Sequence, residues 1–156
     1  MDWRAVPHFG TRPGGRASVV RPSAYAFLRN RAGRLAVVRA TDRIFLPGGG
    51  LEDGESPEEA VVREALEECG LVVRVGACVS RLVQFVVTAE GLSVENRCAF
   101  FDARIEHENR AAMLPGHKTL WLGPARAAQI LKHDSQMWAV RHRMKLRGAP
   151  RRGGLS

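Results

Sequence analysis

Through the first third of the chain, apolar residues come in short runs bounded by Gly, Pro or Arg, a spacing suited to strands. Residues 17–29, ASVVRPSAYAFLR, read as a strand broken near Pro22. Proline cannot donate to a ladder, so this predicts an edge strand or a bulge. RAGR at 31–34 reads as a turn and LAVVRA from Leu35 as the returning strand, which predicts a hairpin. Ile44-Phe45-Leu46 is a brief strand that ends at Pro47 and a turn of three glycines. Farther on, Leu71 to Thr88 is rich in Val and Leu, with Gly76 as the expected bend or bulge. Ala89-Glu90-Gly91 makes a turn, and Ser93 to Ile105 returns as a second hairpin. EHENRAAMLPGH at 106–117 reads as a polar loop and Thr119–Leu122 as a short strand. Pro124 suits a helix first turn and opens ARAAQILK. The spacing of Met137, Val140 and Met144 predicts a last amphipathic helix on which Trp138 packs inward. Residues 1–16 read as a loose lead-in pinned in part by Trp3, Val6 and Phe9, and 148–156 as a disordered tail. Together these elements predict one domain over 1–156, an α/β fold with a mixed sheet and helices on its faces.

Between the third strand and the Val-rich strand, the period changes to that of a helix. Ser56 is a good N-cap, Pro57 fits the first helical position, and Glu59 completes an S-x-x-E capping box. Gly70 falls where a left-handed residue ends a helix. Val61, Val62, Ala65, Leu66 and Cys69 form one arc, expected to face the sheet. Glu64, Glu67 and Glu68 form a separate arc about 100° wide. Ala60 shares that acidic arc one turn earlier, where a small side chain leaves room for a ligand. The three carboxylates repel one another by a few tenths of a kcal/mol per pair. No Lys or Arg on the arc relieves them. A hard divalent cation would, and oxygen is the donor it prefers. The competing reading is a solvated acidic face. Against it stand the glycine turn directly before the helix and Glu55 and Arg63 at fixed offsets from the trio.

Charge sharpens this picture once it is divided along the chain. The net +8 is made of two basic flanks around an acidic middle. Residues 1–47 hold nine Arg against Asp2 and Asp42, residues 48–109 five Arg against thirteen acids, and residues 110–156 ten Lys or Arg against Asp134. That arrangement suits an acidic metal site in a basic surround that attracts a phosphorylated ligand. No apolar run approaches the roughly 18 residues of a membrane span, and the first residues, MDWRAVPHFG, do not form a secretory signal. Cys69, Cys78 and Cys98 are odd in number and lack a CxxC pair, which predicts reduced thiols and a cytoplasmic protein.

Gly49, five residues, Glu55, seven residues, then Arg63-Glu64-Ala65-Leu66-Glu67-Glu68-Cys69-Gly70-Leu71 resembles the signature of the MutT-like Nudix hydrolases. Every charged and glycine position of that 23-residue signature matches. Ala65 stands where a larger aliphatic residue is usual, which leaves the local packing open. The resemblance implies an α/β/α sandwich that hydrolyses a nucleoside diphosphate linked to another moiety. It implies Mg2+, or Mn2+, on Glu67 and Glu68, with Glu64 as a further ligand or the group that activates water. A carbonyl in the Gly49–Gly50 turn would complete the shell, and Glu55 and Arg63 would support the loop and helix. For Arg63, a simple ion pair with Glu59 or Glu67 is an equal reading. The implied substrate is a small nucleotide, either a nucleoside triphosphate or a nucleotide sugar such as ADP-ribose. The basic flanks leave open an RNA 5′ end or a dinucleoside polyphosphate, and also a binding module that has lost catalysis. Homodimer formation also stays open.

Outside the signature, Glu95, Glu106 and Glu108 are candidates for one more acid, with the 106–108 segment slightly favoured by spacing. His107 and His117 are candidates for a base or a phosphate contact, though loop histidines are usually neither. Phe85, Phe100, Phe101 and Trp121 read as core, one of them available to stack on a base. The run Arg141, Arg143, Lys145, Arg147, Arg151 and Arg152 lacks the interleaved aromatics of a single-strand binder, so a solvated basic face is the expectation.

Overall fold

The computed structural model describes residues 1–12, 14 and 17–146. The tail expected at 148–156 lies outside the described residues. In chain order the elements are β1 (His8–Phe9), β2 (Val19–Phe27), β3 (Leu35–Ala40), β4 (Arg43–Phe45) and β5 (Gly48–Gly50). Then come α1 (Pro57–Cys69), β6 (Leu71–Val87), β7 (Ser93–Glu108), β8 (His117–Leu122), α2 (Pro124–Ile130) and α3 (Asp134–Arg143). A five-stranded mixed sheet runs β1-β6-β7-β2-β5 and a three-stranded sheet runs β4-β3-β8.

The continuous apolar runs in β2 and β3 are explained by burial on both faces. Ala24, Ala26, Leu28, Ala36 and Val38 join α1 in one core cluster. Tyr25, Phe27, Leu35 and Val37, which alternate with them, join α2 and α3 in the other. The sheets are therefore sandwiched between α1 on one side and α2 with α3 on the other, the α/β/α layering expected. Phe85, Phe100 and Phe101 are core as expected, while Trp121 is only partly buried.

Several expectations about strands are revised by partner choice. β2 and β3 do not form a hairpin beyond their turn, where Ala36 N–H donates to Leu28 O (2.8 Å) and Asn30 N–H to Arg34 O (3.0 Å). Past that point β2 takes β7 as a parallel partner over nine residues and β3 enters the other sheet. β2 runs unbroken through Pro22. The Pro22 carbonyl accepts from Leu51 N–H (3.0 Å), and the donor it lacks falls on that same side, where β5 ends. The triple glycine, expected as a turn, is itself a strand paired with Ser23–Tyr25. β7 extends to Glu108 because Leu71 and Val72 pair with its end, so 106–108 is strand and not loop. The lead-in also has a fixed place: His8 and Phe9 pair with Val83 and Gln84, and Phe9 packs near Trp138. The bulge expected near Gly76 is present as a register shift between Val75 and Cys78.

α1 has the predicted ends. Ser56 Oγ accepts from Glu59 N–H (3.1 Å), Glu59 Oε2 accepts from Ser56 N–H (2.9 Å), and Gly70 adopts a left-handed φ of 64°. Its buried face differs from the expected one. Val62 is exposed and Leu66 half-buried, while Ala60, Val61, Ala65 and Cys69 are buried. On a helical projection the buried arc is centred on Glu64, Glu68 and Val61, so two of the acids lie inside the docking face. Ala60 is fully buried in the core and leaves no room for a ligand. On α3, Ser135, Gln136, Ala139 and Val140 are buried; Met137 and Met144 pack only partly, and Trp138 stacks on His142 at 4.5 Å. Burial pushes the Cys69 and Cys98 thiols up to about 11, and all three cysteines are free.

Ala65 is fully buried against Ala24, Ala26 and Ala60 in the α1 cluster. Small residues on both sides bring the helix backbone close to the sheet. Ala65→Leu is therefore expected to overpack this contact and lower stability by about 1–3 kcal/mol, measurable by urea unfolding.

Candidate active site

The site forms where α1 docks on β5. Gly49 sits directly under Glu64: a Cβ there would fall 2.7 Å from Glu64 Oε1. Glycine is what lets a carboxylate lie on the strand backbone. One residue earlier, Gly48 N–H donates to Glu68 Oε1 at 2.8 Å. The helix acids and the glycine strand are thus one contact surface.

Arg63 organises the outer side of that surface. Its Nε and one terminal nitrogen grip Glu55 at 2.7 and 2.9 Å, a bidentate pair. The same terminal nitrogen also donates to Gly50 O at 3.1 Å, and the other lies 3.0 Å from Glu64 Oε1 and 3.4 Å from Glu67 Oε2. Glu55 in turn accepts from Glu52 N–H at 3.0 Å, which folds the loop between β5 and α1. Both sequence readings of Arg63 are thus half met: it pairs with Glu67 on its own helix and more tightly with Glu55 across the loop.

The electrostatics of the three helix acids differ. Burial, the dominant cause, pushes the Glu68 carboxyl up to about 8; Glu64 and Glu67 add repulsion and the Gly48 N–H opposes the rise. Burial also raises Glu64, although its bond to Arg63 pulls the other way. Glu55 is held below the usual range by its hydrogen bond to Arg63. Glu67 is the most open of the four, with its side chain 33% exposed. One arginine therefore faces four carboxylates, and two of them, Glu64 and Glu68, resist ionising. That is the chemistry of a site short of positive charge, and the all-oxygen donor set suits a hard divalent ion. Among the described residues no three Asp, Glu, His or Cys side chains are gathered closely enough to hold an ion, since Arg63 occupies the space between Glu64 and Glu67.

The extra acids from the sequence go elsewhere. Glu106 pairs with Arg74 (3.2 Å), Glu108 with Arg110 (3.5 Å) and Glu95 with Arg97 (2.8 Å); none of them bonds to Arg63 or to the helix acids. The residue that sequence reasoning passed over is Arg21. It is exposed on β2, and a Cβ on Gly50 would fall 2.6 Å from its Nε, so its guanidinium lies on the glycine strand. Near it on the same face of β2 are Ser23, which donates to Asn96 Oδ1, and Tyr25, whose phenol is pushed up to about 12 by burial. The only hint in the sequence was an arginine in an apolar strand run; the pairing of β2 with β5, which sets it against the glycine strand on the face opposite Glu64, is a tertiary fact.

The raised acids give a sign to pH dependence. An unfolded glutamate titrates near 4.5 and folded, metal-free Glu68 near 8, so the folded chain holds the extra proton between those values. The stabilisation contributed by this proton is full below pH 4.5 and is lost as pH rises through 8, with Glu64 acting in the same sense and Glu55, held low by Arg63, in the opposite one. Glu68→Gln keeps an acceptor for Gly48 N–H and removes the charge. In EDTA it should be more stable than the parent at pH 8.5, by on the order of 3 kcal/mol, and close to it at pH 5 in urea unfolding. An equal gap at both pH values would exclude this origin.

A Nudix domain model matches residues 19–144, most of the chain. Solved structures share the fold. A Nudix hydrolase from Nitrosomonas europaea superposes with a TM-score of 0.65 at 17% identity, covering 80% of this chain and 88% of that one. The E. coli dihydroneopterin triphosphate pyrophosphohydrolase does so at 0.62 and 18%, covering 80% and 97%. A C. elegans Ap4A hydrolase gives 0.62 and 17%, covering 80% and 96%. Those identities carry the fold, while the family-model match spans every strand but β1 and all three helices. The chain belongs to the Nudix family, hydrolases that act on phosphorus-containing acid anhydrides.

Proposed function

We propose that this chain hydrolyses the diphosphate linkage of a nucleoside diphosphate derivative, using a divalent metal held by Glu64, Glu67, Glu68 and the Gly49 carbonyl. The observation that carries the reading is the excess of buried carboxylate over cation between α1 and β5, with Arg63 committed to Glu55. Magnesium or manganese bound there would neutralise the diphosphate and acidify a water molecule. The protein supplies the rest. Gly48 N–H fixes the orientation of Glu68, and Glu67, the most open of the acids, would turn from Arg63 toward a ligand. Glu64, half-buried on the glycine strand, serves as a further ligand or accepts the proton of the attacking water. Glu55 and Arg63 hold the loop and helix in register. Arg21, exposed beside Gly50, is placed to meet a phosphate oxygen and to oppose charge on the leaving group.

For the substrate we favour a nucleoside triphosphate or a nucleotide sugar such as ADP-ribose. The names of the structural relatives, which act on dihydroneopterin triphosphate and Ap4A, support a phosphorylated small molecule. The basic flanks give an RNA 5′ end or a dinucleoside polyphosphate second place.

Glu67→Gln should lower magnesium-dependent phosphate or pyrophosphate release by about 100-fold or more without shifting thermal unfolding. Activity is read on nucleoside triphosphates, ADP-ribose, Ap4A and 5′-triphosphorylated RNA, with product identity naming the bond cut. Undiminished turnover in the variant would remove the metal assignment.

A further inference from the structure

A second cavity lies at the opposite end of the sandwich from the β5–α1 loop. Its volume is about 700 Å3, within the range of small-ligand sites. Apolar side chains of Phe27, Leu71, Ile105 and Trp121 contribute to its walls. Arg29, Arg31, Arg104 and Arg143 line it as well. β2 passes the proposed metal site at Ala24, opposite Gly49, and the chain reaches the cavity only at Phe27, the end of β2, and at Arg29 beyond it. At about 3.3 Å per residue, that is roughly 10–16 Å farther along the strand.

The charges of this cavity do not balance internally. Each of its three acids already has a basic partner: Asp102 takes two bonds from Arg143 (2.9 and 2.6 Å), Glu106 pairs with Arg74 and Glu108 with Arg110. Arg29, Arg31 and Arg104 have no ion pair among the described residues. Arg104 also stands directly opposite Arg74 in the β6–β7 ladder, a like-charge pairing that costs stability unless an anion offsets it. Unpaired guanidinium groups around an apolar wall fit a ligand that joins a flat ring to a phosphate.

We propose that this cavity is a second binding site, separate from the metal site, for a mononucleotide-sized ligand. The phosphate meets Arg31 and Arg104, and the ring lies against Trp121 and Ile105. The binding needs no divalent ion, because the cation is supplied by the arginines. A half-open cavity of this volume holds one such ligand, whereas a nucleic-acid strand would need an extended groove.

The test is titration of the full chain in EDTA with AMP, adenosine and inorganic pyrophosphate, followed by calorimetry and tryptophan fluorescence. AMP should bind at least tenfold more tightly than adenosine or pyrophosphate. The double variant Arg31→Ala, Arg104→Ala should lose at least tenfold in AMP affinity, and Trp121→Phe should lose the fluorescence change. Glu67→Gln, which tests the metal site, should leave AMP binding unaltered, so the two readings fail separately. Both arginines are exposed, and matching unfolding temperatures would show that the double variant is folded. The proposal is overturned if AMP binds no better than pyrophosphate, if the arginine variant retains full affinity, or if a short single-stranded RNA displaces AMP with a site size of several nucleotides.

Discussion

The structure turns on the docking of an acidic helix face against a strand of bare backbone. Glu64 and Glu68 lie in the middle of the buried side of α1, where an apolar residue would ordinarily be found. Burying carboxylates is unfavourable unless something compensates, and here the compensation is specific. Gly48 N–H meets Glu68, and Arg63 ties Glu64 and Glu67 to Glu55 and to the Gly50 carbonyl. The contact is incomplete without further positive charge, as the raised Glu68 carboxyl records.

The remainder of the fold serves that contact through close approach. Ala24 and Ala26 on β2, Ala60 and Ala65 on α1, and Ala99 on β7 meet in one cluster. With small side chains at this interface, the helix can sit low enough for its glutamates to touch strand backbone. On the opposite side Phe27, Phe100 and Leu131 pack under α2 and α3.

Charge follows the same division. Acids collect on α1 and its preceding loop, while arginines collect on the β2–β3 turn (Arg29, Arg31, Arg34) and at the end of α3 (Arg141, Arg143). Arg21 brings the basic set to the glycine strand, and Arg29, Arg31 and Arg104 carry it to the far cavity. A long-range field of this kind draws phosphorylated molecules toward the protein before any contact forms.

How much of this could be read without coordinates depends on the range of the interactions involved. The ends of α1 were legible because capping is local: Ser56, Pro57, Glu59 and Gly70 act within four residues of one another. The spacing of Gly49, Glu55, Arg63, Glu64, Glu67 and Glu68 named the chemistry for a related reason, since loop and helix are contiguous. The second hairpin was likewise read from its turn. What the sequence could not decide was partner choice. The glycines became a strand because β2 lay beside them, β3 left β2 for β8, and β7 ran on through 106–108 because the start of β6 was there to pair with it. The same long-range packing turned α1 so that Glu64 and Glu68 face inward and Val62 outward, against what apolarity alone would choose. Arg21 at the site and the arginine-lined far cavity follow from that packing too, because both join residues separated by tens of positions in the chain.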